Sequence, residues 1–359
     1  MINQIEPWID NEELIQLTKV IESTQITEGP MTNLFEKLTS DLVGARHAIA
    51  FTNGSVALFS ILKSLDIGPG DEVIVPNLTF IATATAVILA GATPVLCDIQ
   101  ESDLGLNPIE VKKLISQKTK AVIVVHLYGN AADIDEIKNI CEASNLYLVE
   151  DAAQGVGVAY KGQHVGQFGI AGILSYYGNK TITCGEGGIV LTNSNQIRDA
   201  VYSLKNHGRL KKGIFVHDKI GFNFAFTEMQ AAIGVAQMGK LERIIKAKED
   251  ILERYKLNLP EFIFFEKSEF TTKYVPWFSS VKVADPQAVQ KFLLERGVGS
   301  RRFFPPLSSQ PCLANLPSAK NIFPVSEKIY GIGLSLPSSA QLSRHDQDIV
   351  ISAVQELHE

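Results

Sequence analysis

Over its first half this 359-residue chain alternates short apolar runs with segments of helical period, and no other feature narrows its fold as much. The runs "HAIAFTNG", "DEVIVP", "TPVLCDI", "KAVIVVHLYG" and "LYLVED" are rich in Val and Ile and lack polar alternation, as strands buried on both faces do. Between them "SVALFSILKSL", "IATATAVILAG", "IEVKKLISQ" and "DIDEIKNICEAS" place apolar residues at helical spacing. This repetition predicts an α/β domain built on a mostly parallel sheet. Ligands of such sheets bind outside the carboxyl ends of the strands, so chemistry belongs in the loops after these runs.

After Asn223 the texture changes. "TEMQAAIGVAQMGKLERIIKAKEDILERYKLNL" sets Met229, Ile233, Leu241, Ile244, Ile245, Ile251 and Leu252 near one stripe, with Thr227 and Glu228 as capping and dipole residues. It predicts one helix long enough to bridge two domains. "PWFSSVKV", a helix opened by Asp285 and Pro286, "SRRFFPPL" and a closing helix from Ser343 then form an α+β piece. The expected division is a large domain over 1–240 and a small C-terminal domain over 241–359.

Charge and cysteine usage remove several function classes. A net charge of -6 argues against a nucleic-acid partner, whose backbone needs a positive surface, but permits a local phosphate pocket. Cys97, Cys141, Cys184 and Cys312 are scattered without metal-ligand spacing and read as reduced thiols of a cytoplasmic protein. The first residues lack an apolar signal core. Residues 78–97 carry no charge over a nominally membrane-spanning length, yet they hold four threonines, a glycine and Pro94. They read as a buried helix running into a buried strand, with no membrane partner.

Four strand-end loops carry candidate chemistry. "FTNGSVAL" puts Gly54 and Ser55 where a helix begins, and amide N–H groups there, with a hydroxyl, suit a phosphate. It matches neither a Walker loop nor a GxGxxG fingerprint. "VPNLTFIATA" sets Phe80 just past a strand, where its face could stack on a planar ring or simply fill the core. In "LVEDAAQG", Asp151 ends a buried run and Gln154 follows; a carboxylate there needs a partner such as a protonated ring nitrogen, or caps the next segment. "SYYGNKTITCGEGG" holds Lys180 between two apolar runs, and a lysine desolvated beside Tyr176 and Tyr177 can condense with an aldehyde. Phosphate, ring, pyridine nitrogen and aldehyde are the four demands of pyridoxal 5'-phosphate.

"ITEGPMTNLFE", "TNGSVAL", "GDEVIVPNLTFIATATAVILAGATPVLCDI", "VHLYGN", "VEDAAQ", "SYYGNKTITCGEGGIVLTN", "GFNFAFTEMQAAIGVAQM" and "GLSLPSS", in this order, resemble the DegT/DnrJ/EryC1/StrS family of sugar aminotransferases. The resemblance spans nearly the whole chain. It implies the type I aspartate aminotransferase fold, with a mostly parallel seven-stranded sheet in the large domain, and a transaminase that uses pyridoxal phosphate with pyridoxamine phosphate as its amino-carrying form. "YGNKTITCGEGG" and "VHLYGN" are most similar to the branch that aminates C4 of a GDP-linked 4-keto-6-deoxy sugar for surface polysaccharides such as O-antigen.

By resemblance, Lys180 would bond the cofactor and move the proton, and Asp151 would keep the pyridine nitrogen protonated. Gln154 would bond near the ring hydroxyl and Phe80 would stack. Gly54, Ser55 and Ser175 would bind the phosphate, and Asn223 would reach it from the other subunit of a homodimer. The implied partners are L-glutamate and a nucleotide-linked keto sugar, with UDP or dTDP and C3 or C4 as the alternatives. Gly185, Gly187 and Gly188 are read as turn glycines. Ala225 replaces the family's usual arginine in "GYNYRM" and Ser308 the usual histidine in "PLHxQP"; His207 and His217 read either as substrate contacts or as satisfied surface histidines. A sugar 3-dehydratase on the same cofactor and a non-catalytic cofactor-binding regulator compete with transamination. The dehydratase relatives carry histidine at the lysine position, so Lys180 argues against the first, and Lys180 beside Asp151 argues against the second.

Overall fold

The computed structural model describes residues 1–210, 213, 215–217 and 219–358, with the side chain of residue 358 left aside. Helices α1 (Asn11–Ser23) and α2 (Pro30–Val43) precede the alternating region. There β1 (His47–Phe51), β2 (Glu72–Pro76), β3 (Thr93–Cys97), β4 (Thr119–Val125) and β5 (Tyr147–Asp151) alternate with α3 (Gly54–Ser64), α4 (Ala82–Leu89), α5 (Pro108–Leu114) and α6 (Ile134–Ala143). A hairpin of β6 (Ala159–Tyr160) and β7 (Gln163–His164) leads to β8 (Ala171–Ser175) and β9 (Gly188–Thr192), and α7 (Asn195–Lys205) follows.

Seven of these strands form one sheet in the order β1-β9-β8-β5-β4-β2-β3. Only β9 runs against its neighbours, so the other six present their carboxyl ends at one edge. The sheet is covered on both faces, which explains the continuous apolar runs. Ile49, Phe51, Val73, Val75, Ala121 and Ile123 pack with α3, α4 and α7, while Ala50, Ile74, Val122 and Val124 face a second core with α2 and α6. The uncharged run over 78–97 is α4 followed by β3, and no helix among the described residues is long and apolar enough to cross a membrane.

The segment from Thr227 corrects the sequence expectation. It forms two helices, α8 (Glu228–Gly239) and α9 (Leu241–Asn258), broken at Lys240 with φ -112° and ψ 10°. Gly239 weakens the helix at this point. Lys240 then turns inward, its Nζ 2.7 Å from Glu13 and 3.1 Å from Asp10. The stripe is also displaced: α8 buries the small residues Ala231, Ala232, Gly234 and Ala236, and Met229 stays 40% exposed. A Cβ on Gly234 would sit 2.7 Å from the Phe35 ring, so glycine allows α2 to approach. Thr227 caps α8 through the Gln230 amide, as expected.

A second sheet, ordered β10-β12-β14-β13, joins β10 (Ile263–Phe264), β12 (Ser279–Lys282), β13 (Arg301–Arg302) and β14 (Gly333–Leu336), while β11 (Thr271–Lys273) pairs with β6. Its helices are α10 (Pro286–Glu295), α11 (Pro324–Ile332) and α12 (Arg344–Gln355), with Asp285 and Ser343 as the expected caps of the first and last. Of these, α10 and α12 share a separate core with α9, which Ile2 reaches by pairing with Val298, while α11 packs through Ile329 against Trp277 and Phe303. Trp277, Phe278, Phe303 and Tyr128 join this unit to the loops at the sheet edge.

Candidate active site

At the carboxyl edge of the large sheet lies a cavity of about 660 Å³. Gly54, Ser55, Phe80, Asp151, Gln154, Ser175 and Lys180 all line it, contributed by the loops after β1, β2, β5 and β8. Asn223 does not line it and is exposed, its Oδ1 accepting from the Ala225 amide at 3.4 Å. Ala225, Ser308, His207 and His217 also lie outside it. Ser308 exchanges hydrogen bonds with Asn77, and the His217 ring Nδ1 lies 2.6 Å from the His207 carbonyl.

The β1–α3 turn is built to receive an anion. Asn53 caps α3 by accepting from the Val56 amide at 3.0 Å, which leaves the Gly54 and Ser55 amides without intrahelical acceptors. A Cβ on Gly54 would lie 3.3 Å from that of Ser175, so glycine keeps the cradle open. A Cβ on Gly188 would lie 2.6 Å from the Gly54 nitrogen; this glycine lets β9 pack against the turn. Helix N-terminal amides with a serine hydroxyl opposite fit a phosphate.

Asp151 ends β5 and is 7% exposed. Its Oδ2 accepts from the Thr83 hydroxyl at 2.8 Å and its Oδ1 from the Ala153 amide at 3.2 Å. No helix follows it, and the carboxylate is aimed into the cavity wall, fit for a cationic partner. Gln154 is held by its Oε1, which accepts from the Tyr128 amide at 2.7 Å and leaves the NH2 end to donate. Phe80 is 51% exposed, its ring centroid 5.7 Å from that of Phe304, and so is not a core phenylalanine.

Lys180 is half-buried, with Nζ 4.4 Å from the centre of the Trp277 ring. Burial pushes its pKa down to about 8; the Asp151 charge opposes that shift and the Arg301 charge adds to it. Trp277 is fixed in turn, donating from Nε1 to the Asn179 carbonyl at 2.6 Å. An amine that loses its proton near neutrality is a competent nucleophile and base. Together with the cradle and the carboxylate, this donor set fits pyridoxal phosphate.

Sequence reasoning missed three residues here. Thr83 sits in a helix that reads as apolar, and Trp277 and Arg301 enter from the second unit, far along the chain. An arginine pair beside aromatics in "SRRFFPPL" was the available signal.

Residues 7–355 match the DegT/DnrJ/EryC1/StrS aminotransferase family. The chain is 37% identical over 345 residues to the GDP-perosamine synthase of Vibrio cholerae, covering 94% of each protein. It is 35% identical to the GDP-perosamine synthase of Caulobacter vibrioides, covering 99% of this chain and 98% of the relative. In structure it is similar to a DegT DnrJ EryC1 StrS aminotransferase from Brucella abortus, with a TM-score of 0.91, 30% identity, and coverage of 97% of this chain and 95% of that one. With fold, cavity and sequence in agreement, this chain belongs to the DegT/DnrJ/EryC1/StrS aminotransferase family.

Proposed function

We propose that this protein is a pyridoxal-phosphate-dependent aminotransferase that moves an amino group from L-glutamate to C4 of a GDP-linked 4-keto-6-deoxy sugar, in keeping with its similarity to GDP-perosamine synthases. The observation that carries this reading is the convergence of Lys180, Asp151 and the open N-terminus of α3 on one cavity. The cofactor, when bound, supplies an aldehyde that takes up an amine and a ring that draws off electron density.

The chain's own residues do the rest. Gly54, Ser55 and Ser175 would hold the phosphate, Phe80 would stack on the ring, and Gln154 would donate near the ring hydroxyl. Asp151, pinned by Thr83, keeps a positive charge on the atom facing it. Lys180 would hold the cofactor through its amine and, when free, would carry a proton to and from the reacting carbon, which its lowered pKa suits.

The active form in this reading is a cytoplasmic homodimer in which Asn223 serves the partner's phosphate site. The exposure of Asn223 outside its own cavity, and of Phe215 and Ile220 nearby, supports it. Residues 1–240 act as the cofactor-binding domain and 241–359 as the small domain; the separate core of the second sheet supports that division. The product would feed a surface polysaccharide.

Lys180→Ala tests the chemistry. The variant should lose both the visible absorbance of the lysine-bound cofactor and amino transfer from glutamate, and retention of both would refute the assignment. GDP-, UDP- and dTDP-linked keto sugars offered with glutamate, with products identified by mass and NMR, test the sugar. An amine formed on a UDP or dTDP sugar alone would overturn the GDP reading.

A further inference from the structure

We propose that Arg301 is the residue that receives the carboxylate next to the reacting carbon of the amino donor, and so selects an amino acid as donor; the inference rests on the transamination reading above.

The strand β13 is only Arg301 and Arg302, held antiparallel to β14 with Arg301 opposite Ser335 and Arg302 opposite Leu334. Neighbouring side chains on a strand point to opposite faces. Arg302 turns away from the cavity and lies 4.6 Å from the centre of the Tyr330 ring, its Nη1 donating to Gln287. Arg301 turns into the cavity wall. Its guanidinium carbon is 5.7 Å from the centre of the Phe304 ring.

The charges lining the cavity are few. Asp151 is oriented by Thr83 and the Ala153 amide toward the cofactor site, Glu186 has its pKa raised by burial, and Lys180 faces Trp277. Among the described residues, no carboxylate forms an ion pair with Arg301, which is exposed. A guanidinium offers parallel donors that match a carboxylate, and one not engaged at a site wall is poised for an anionic ligand.

Position decides between the two anionic substrates. Lys180 and Arg301 stand on a joined aromatic pair: Lys180 over Trp277, Arg301 over Phe304, with the two rings 6.1 Å apart. Arg301 is near enough for its charge to act on Lys180. An amino acid carries its carboxylate one bond from the carbon that exchanges its proton with Lys180. A nucleotide-linked hexose aminated at C4 carries its diphosphate on C1, across the ring. A cation close to Lys180 therefore fits the amino acid.

The test uses the holoenzyme and its Arg301→Gln and Arg301→Lys variants, each checked for cofactor absorbance and thermal midpoint. Three quantities are read: the glutamate dependence of the first half-reaction, the rate with a GDP-linked 4-keto-6-deoxy sugar in the second, and the affinity for glutarate, a dicarboxylate without an amine. Arg301→Gln should weaken glutamate and glutarate about 10- to 100-fold while the sugar step changes by no more than about twofold, with the lysine variant between. Unchanged glutarate and glutamate dependence would overturn the proposal, as would a loss confined to the sugar step, which would assign Arg301 to the diphosphate. A wild-type protein that fails both half-reactions would refute transamination instead, and the glutarate affinities would still decide the role of Arg301.

Discussion

Lys180 is tuned by burial and by two charged neighbours of opposite sign. Burial lowers its pKa to about 8, the Asp151 carboxylate resists this, and the Arg301 guanidinium assists it. Asp151→Asn should therefore move the lysine lower still, and Arg301→Gln should move it up. Reductive methylation of the cofactor-free protein, followed at Lys180 by mass spectrometry across pH, checks both. Labelling of the wild type should rise through about pH 8, at lower pH in the asparagine variant and at higher pH in the glutamine variant. Shifts of one sign in both variants would show that solvent access, and not charge, sets the lysine. Seven of the eight site positions expected from sequence meet in the cavity because each lies at the carboxyl end of a buried strand or in the turn that follows it, where parallel topology dictates the location. Thr83, Trp277 and Arg301 gave no such signal: a threonine on a helix and residues of a second sheet acquire their role only when the elements pack.

At the scale of elements, the helix junctions carry the departures from sequence expectation. Glu228 looks like a dipole residue of its own helix, yet its buried carboxylate caps α2. Oε1 accepts from the Gly29 and Thr32 amides at 2.8 Å each and from the Thr32 hydroxyl at 2.7 Å, while Oε2 accepts from the Met31 amide at 2.7 Å. α2 begins at Pro30 after Gly29, which has no side chain to cap it, so a residue 199 positions away supplies the acceptor. Glu228→Gln keeps the shape but replaces one acceptor oxygen with a donor facing the Met31 amide. It should cost about 1–3 kcal/mol. Urea unfolding at neutral pH measures this, and a loss within error would mean that α2 finds another cap. Periodicity alone cannot show such a cap or the break at Lys240, because both depend on acids and amides that are distant in sequence. The strands were easier to read, since burial on both faces marks each one locally.

The whole molecule depends on the joint between its seven-stranded and four-stranded sheets, and Lys248 sits in that joint. This α9 lysine is 3% exposed and donates to the Trp277 carbonyl at 3.0 Å and the Ser338 carbonyl at 2.9 Å. It thus ties the tryptophan that faces Lys180 to the end of β14. Burial pushes its pKa down to about 7 from the usual value near 10.5. The folded protein therefore holds this proton less tightly than the unfolded chain. Between about pH 7 and 10.5 the unfolded chain binds more protons here, so the residue's contribution to stability rises with pH through that window and is lowest below it. Lys248→Met removes the titration but strands two buried carbonyls, so the variant should be less stable where the wild-type amine is neutral, with the gap narrowing as pH falls from about 10.5 to about 7 and level below that. Thermal or urea unfolding of both proteins at the two ends of the window checks this, and taking the difference cancels every other titrating group, Lys180 included. The gap should open with a slope of no more than about 1.4 kcal/mol per pH unit. A gap independent of pH would mean that Lys248 stays charged in the joint and holds Trp277 as a cation.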